Sequence, residues 1–472
     1  MFYLLRKVVG VPVELWRAET FQQAAALSRD WLKLSLLCLM LAGFFSAVIV
    51  FARTPLLADL ISDPQFSQKS LVLHVVLALV GWFYSFLAVL FLSMNSCKVS
   101  RWPAIALKAS VVGVGLICIS ILMPDADPVL ANYIPVIDNG VFLAGLGLFG
   151  GALSLTLIGN GLLQTTGTAT ETPMINSLQA REVIHAAGLM VILAVGTILV
   201  SMHITASGLD RTLFYELTMW GGGHIFQFAN SLGMIAVWLI LLRLITGKEA
   251  LGVKANRVLL LIMCLPVMFT PLLLVNGTQD QLYYNGFTQL MRWGMFPVIS
   301  AYILIGTYAV INARRKGDFE GRLFHNVWFN GFLVSAVLMV AGFIIGAMIR
   351  ESNTLIPAHY HACLGGVTVA YMTAMFYLMK RWGYSWSPGK PAAILRLQPL
   401  LFGFGNTIFV AGFAWAGLNG MGRKMYGADQ DLFSPEVMIG MGVMSIGGLL
   451  AIAGGLMFLY LIIHAYNNKN NR

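Results

Sequence analysis

About twelve stretches of roughly twenty apolar residues follow one another along this sequence of 472 residues, separated by short polar connections. Twenty apolar residues is about the length at which a helix crosses the hydrocarbon core of a bilayer. The stretches begin near residues 31, 70, 103, 137, 181, 217, 257, 288, 327, 355, 398 and 436. Composition agrees, since 58% of residues are hydrophobic and 11% charged, where soluble domains carry about 25% charge. Backbone polar groups in hydrocarbon must be satisfied within their own segment, which selects helices. The reading is an all-α integral membrane protein of about twelve transmembrane helices. It forms one membrane domain over residues 1–472, with residues 1–30 as a cytoplasmic N-terminal segment.

Basic residues set the orientation, because short loops retain Lys and Arg on the cytoplasmic side. Connections after even-numbered stretches hold Lys98 and Arg101, Lys248 and Lys254, Arg314, Arg315 and Lys316, then Arg381, Lys390 and Arg396. Those after odd-numbered stretches hold Asp125, Asp127, Asp210, Asp280, Asp429 and Asp431. Both termini are therefore expected in the cytoplasm. The net charge of +10 reads as topology and contact with anionic membrane lipid, not as nucleic-acid binding. The N-terminal residues lack a short apolar core with a small-residue cleavage site, so no cleaved signal peptide is expected. The five cysteines, Cys38, Cys97, Cys118, Cys264 and Cys363, form no C-x-x-C-H or paired spacing. Neither covalent c-type heme nor a disulfide framework is expected.

Of the eight histidines, His74, His224, His359 and His361 fall early in even-numbered stretches. That placement puts them roughly 6 to 10 Å below the outer surface. Ionisable side chains inside a membrane are costly and point to function. The four read as a ligand layer for metal or heme, against the alternative of hydrogen-bonded core histidines. His185, His325 and His464 fall near the cytoplasmic face and receive no role, and His203 ends the fifth stretch. Residues two apart on a helix point about 200° from each other. His359 and His361 can thus serve two cofactors from one helix. His74 and His361 would complete a bis-histidine low-spin heme, and His359 alone would hold a high-spin heme with an open face for a small gas.

Three segments resemble subunit I of the heme-copper oxidase superfamily. Ser352-Asn353-Thr354-Leu355-Ile356-Pro357-Ala358-His359-Tyr360-His361 is similar to the family's H-x-H on helix ten. Gly420-Met421-Gly422-Arg423-Lys424-Met425-Tyr426-Gly427 looks like its G-M-P-R-R-Y segment. Gly221-Gly222-Gly223-His224 falls where the family places its first copper ligand. The resemblance extends over nearly the whole chain. It implies that Arg423 and Lys424 bind heme propionates, although Lys in place of Arg loses the bidentate grip. It also implies a cytochrome c oxidase or nitric oxide reductase-like enzyme in a bacterial inner membrane, beside a cytochrome c-type donor subunit, reducing oxygen or nitric oxide.

The sequence departs from that pattern after the seventh stretch, where the family presents two adjacent histidines. Here the chain reads Asn276-Gly277-Thr278-Gln279-Asp280-Gln281-Leu282-Tyr283-Tyr284, and no histidine lies between His224 and His325. A three-imidazole copper site cannot form from this chain. Three outcomes stay open: copper or nonheme iron at a degenerate site, with His224 and Asp280 as ligands, loss of the second metal, or a contribution from a partner subunit. Oxygen-reducing members of that family keep a tyrosine near the site and nitric oxide reductases a glutamate on helix six; here Phe228 and Gln227 stand in that part of helix six, so the resemblance implies Tyr283 and Tyr284 as the candidate catalytic residues. Ser300, Tyr302, Thr307 and Tyr308 read as a polar face in preference to a proton path, and Glu182 is the one candidate proton entrance. A non-catalytic heme relay or gas-binding protein is the alternative to an oxidoreductase. A twelve-span transporter is disfavoured, because the connection from Asn95 to Arg101 lacks the carrier pattern and no repeated half is found.

Overall fold

Residues 21–54, 57, 61, 63–94, 102–163, 174–319, 321–423, 425 and 434–470 are described by a computed structural model. Among them, twelve helices are long and apolar enough to cross a membrane. They are α1 (Ala25–Arg53), α2 (Pro64–Met94), α3 (Trp102–Leu122), α4 (Gly140–Gly159), α5 (Leu178–Ile204), α6 (Arg211–Thr246), α7 (Val253–Leu274), α8 (Gln281–Arg315), α9 (Val327–Met348), α10 (Leu355–Arg381), α11 (Lys390–Leu418) and α12 (Pro435–Asn468). Side-chain caps open several of them. The Asn139 side chain accepts from Val141 N at α4, Ser177 from Ala180 N at α5, and Asn326 from Trp328 N and Phe329 N at α9. Wide π-type turns interrupt α2 at Leu77–Trp82 and α8 at Met291–Met295. Such bulges often accompany functional sites.

Several helices start earlier than the apolar windows imply. α2 begins at Pro64 and α6 at Arg211, so His74 stands about 15 Å and His224 about 20 Å along their helices. His359 and His361 lie within about 9 Å of the start of α10. Polar first turns explain the difference: Gln65, Gln68 and Lys69 precede His74, and Arg211, Thr212 and Glu216 precede His224. These residues continue the backbone hydrogen-bond ladder while contributing nothing to a hydropathy window. The equal depth inferred for the four histidines therefore does not follow from where their helices begin.

One hairpin escapes the all-helical reading. Strands β1 (Asp127–Val129) and β2 (Val136–Asp138) pair antiparallel between α3 and α4, with Asp127 opposite Asp138 and Val129 opposite Val136.

The chain divides into two compact units. The first comprises Met1–Ala42, Val72–Gly233 and Val253–Val298, and the second Gly43–Leu71, Met234–Gly252 and Ile299–Arg472. Lipid offers no hydrophobic drive between helices, so small residues that let backbones approach carry the packing. In the first unit α3 meets α4 at Gly113 and Gly145, where an added Cβ at either would stand 2.7 to 2.8 Å from the other's carbonyl oxygen. In the second, α11 meets α12 at Gly412 and Gly440 in the same manner.

Candidate functional site

The first unit holds His74 and His224. Half-buried His74 on α2 has its Nδ1 2.9 Å from the Ala42 carbonyl of α1. A carbonyl only accepts, so Nδ1 carries the proton and Nε2 the lone pair. His224, 1% exposed on α6, has its Nδ1 2.7 Å from the Trp220 carbonyl. Its Nε2 lies 2.9 Å from the hydroxyl of Tyr133, a residue of the hairpin turn between β1 and β2.

The glycine run before His224 is explained by what surrounds it. A Cβ on Gly221 would meet the Phe287 ring at 2.9 Å, one on Gly222 the Ala194 carbonyl at 2.7 Å, and one on Gly223 the Tyr133 Cγ at 2.7 Å. α8, α5 and the hairpin thus each close on α6 at a successive glycine. Tyr283 is fully buried; its hydroxyl donates to the Leu217 carbonyl at 2.7 Å and accepts from Gly221 N–H at 2.9 Å. Those two groups are the ones an α-helix joins directly, so the phenol bridges the ladder of α6 from outside. Tyr284 is 43% exposed and stacks on Trp220 with ring centres 3.9 Å apart. Asp280 is the N-cap of α8, accepting from Leu282 N at 2.7 Å. Glu182 is bound by Arg257 at 2.7 Å and Asn256 at 3.1 Å, which makes it a tie between α5 and α7.

The second unit holds His359 and His361, and their two-residue spacing sends them to different neighbours. His359 faces α9, with Nδ1 2.7 Å from the Gly342 carbonyl and Cys363 Sγ at 3.9 Å. His361 turns to α11, its ring 4.8 Å from that of Phe409 and 6.0 Å from that of Phe413, with Nδ1 2.8 Å from the Pro357 carbonyl. Both therefore carry the lone pair on Nε2, like His74.

Arg423 sits in the connection after α11, and that connection is stitched to the start of α10. Thr354 N donates to the Met421 carbonyl at 3.1 Å, and the Thr354 hydroxyl to Phe413 O at 2.9 Å. A cation absent from the sequence reading joins it: Arg53, 4% exposed at the end of α1, donates from Nη2 to the Arg423 carbonyl at 3.0 Å and lies 5.4 Å over the Phe413 ring. Its signal in the sequence was a basic residue closing an apolar run. Lys424 lies outside the described residues. Thr307 and Tyr308 face outward, Tyr308 being 68% exposed, while Tyr302 is buried. Among the described residues, no group of three or more His, Cys, Asp or Glu side chains is disposed to hold a metal ion.

No family model matches this chain. The uncharacterized protein RP382 of Rickettsia prowazekii (strain Madrid E) is 26% identical over 507 residues, covering 92% of this chain and 95% of that protein. An uncharacterized protein of Aquifex aeolicus (strain VF5) is 28% identical over 364 residues, covering 76% of this chain and 86% of its own length. Among solved structures, a heme-copper terminal oxidase dimer determined by cryo-EM is similar with a TM-score of 0.69 at 17% identity, covering 93% of this chain and 84% of that one. The fold is that of the terminal oxidase chain.

Proposed function

We propose that this chain is the heme-bearing subunit of a membrane respiratory oxidoreductase. His74 and His361 serve a low-spin heme and His359 a high-spin heme, and electrons pass from a cytochrome c-type donor to oxygen or nitric oxide. The carrying observation is that all three imidazoles commit Nδ1 to a main-chain carbonyl. That contact fixes ring and tautomer and raises the basicity of Nε2, the arrangement typical of imidazoles that ligate a metal. Arg53 and Arg423 supply the cations that propionates require at the end of α11. Heme iron held by these imidazoles would supply gas binding and electron transfer. The chain's own part is to hold imidazoles, charge-pair carboxylates and exclude water. Relatives in Rickettsia and Aquifex fit a bacterial inner membrane, and the distribution of Lys and Arg fits cytoplasmic termini.

One observation favours a second reading, a heme-containing electron relay or gas-binding protein without a second metal: both ring nitrogens of His224 are already engaged. A reduced-minus-oxidised spectrum with and without carbon monoxide tests the proposal. The expected result is two hemes, one of them carbon monoxide-reactive and lost in His359→Ala, the other disturbed in His74→Ala. A colourless preparation overturns it. Consumption of oxygen or nitric oxide then separates the enzyme from the relay.

A further inference from the structure

We infer that His224 ligates no metal and instead accepts the phenolic proton of Tyr133, so that a phenol–imidazole pair stands where the resemblance places a copper ligand. This concerns the site treated in the second reading above, and the pair is defined whether or not hemes are bound.

Trp220 O can only accept, so His224 Nδ1 carries hydrogen and Nε2 is the sole atom through which the ring could bind a metal. At 2.9 Å from Nε2 stands the Tyr133 hydroxyl, which has one proton to give. An imidazole–metal bond is about 2.0 Å long, so a metal on that lone pair must displace the phenol. Among the described residues, no group of three or more His, Cys, Asp or Glu side chains is disposed to hold a metal ion, and Asp280, the other proposed ligand, accepts from Leu282 N through Oδ1 as the cap of α8. The soft donor in contact is Met291 Sδ, 3.5 Å from the same hydroxyl. Imidazole, neutral phenol and thioether bring no negative charge with which to offset that of a cupric or ferrous ion.

The position of Tyr133 is built. Its φ of 66° is the only non-glycine backbone in the left-handed region among the described residues. Side chains with a Cβ avoid that region, and such outliers persist where surrounding contacts over-determine them. Those contacts run down one stripe of α6. Arg211 pairs with Asp138 at 2.9 Å, and the Tyr215 hydroxyl donates to Asp138 at 2.6 Å. Glu216 accepts from both the backbone N–H, at 2.8 Å, and the side-chain amide of Asn132. Trp220 meets the Tyr133 ring edge-on at 5.6 Å. Gly223 then clears the space through which the phenol reaches His224. The hairpin is thus pinned to α6 on either side of Tyr133, and Tyr133 closes the imidazole.

Elemental analysis of the full chain in detergent tests this. The protein is exposed to Cu(I) and Fe(II), desalted, and assayed for copper and non-porphyrin iron, with porphyrin measured on the same sample. Wild type and His224→Ala should both hold no copper or non-porphyrin iron above background. One metal per chain in wild type, lost in His224→Ala, overturns the inference even where two hemes are found. Absence of heme together with absence of metal sinks the heme reading and leaves this one standing. A thermal cycle adds a readout independent of metals. Tyr133→Phe and His224→Ala should each lower the melting temperature, and the double variant should melt no lower than the weaker single one. Additive losses would mean that the two side chains are not coupled, and would overturn the pair.

Discussion

His359 and Gly346 meet so closely that only a residue without a side chain fits at 346: an added Cβ would stand 2.7 Å from His359 Nδ1 and 2.8 Å from Cε1. α9 therefore holds the ring by two means, the Gly342 carbonyl on Nδ1 and the bare backbone of Gly346 against its face. Gly346→Ala must push the imidazole off its carbonyl. The expected cost is about 1–3 kcal/mol from overpacking, with loss or weakening of the carbon monoxide-reactive heme. A Gly346→Ala spectrum identical to wild type would remove His359 from the ligand set.

Arg53 is a buried cation whose guanidinium spans the Phe413 ring and the Arg423 carbonyl. Arg53→Met keeps much of the volume and removes the charge. Stability should fall by roughly 0.5–2 kcal/mol through the lost cation–π contact. If the cation also faces a propionate, the heme served by that end of α11 becomes harder to reduce, and its midpoint potential moves down. Redox titration of the variant checks the sign, and an upward shift would exclude the propionate role.

Packing of α11 on α12 rests on backbone contact at Gly412, where a Cβ would come 2.6 Å from the Gly440 carbonyl. Gly412→Leu cannot be accommodated by a side-chain rotation, because the obstacle is main chain. The variant should lose at least about 1–3 kcal/mol, read as earlier thermal aggregation in detergent. Gly442→Leu, with nothing within 4 Å of an added Cβ, is the matched control and should melt like wild type.

The twelve spans were legible because a bilayer demands long apolar runs, and such runs leave a plain mark in hydropathy. Their starts were less so, since Gln65, Lys69, Arg211 and Glu216 belong to helices whose polar turns carry no such mark. That His359 and His361 meet different helices followed from their two-residue spacing. What the sequence could not yield was Tyr133. A three-residue strand on either side of a turn has no periodicity to detect, and the partner of its phenol lies 91 residues away. The glycine run before His224 was visible as a motif, but its reason, three separate neighbours closing on one helix, exists only in the folded chain.

Tyr283 was expected at the chemistry, and its surroundings argue for a structural task. Its hydroxyl bridges Leu217 O and Gly221 N–H and lies 3.3 Å from the Ser201 hydroxyl, with no exposed edge. Tyr283→Phe preserves the ring and strands those two backbone groups in a buried setting. An unmade hydrogen bond of that kind costs about 1–3 kcal/mol, unless α6 tightens to join the pair directly. Tyr284→Phe keeps the ring that stacks on Trp220 at a position 43% exposed, and should be neutral within about 0.5 kcal/mol. Thermal melts of both variants beside gas-consumption rates decide the matter. A stability loss confined to Tyr283→Phe, with the rate per folded heme unchanged, marks it as a strut of α6. A collapse of that rate without loss of stability would return it to the catalytic residues.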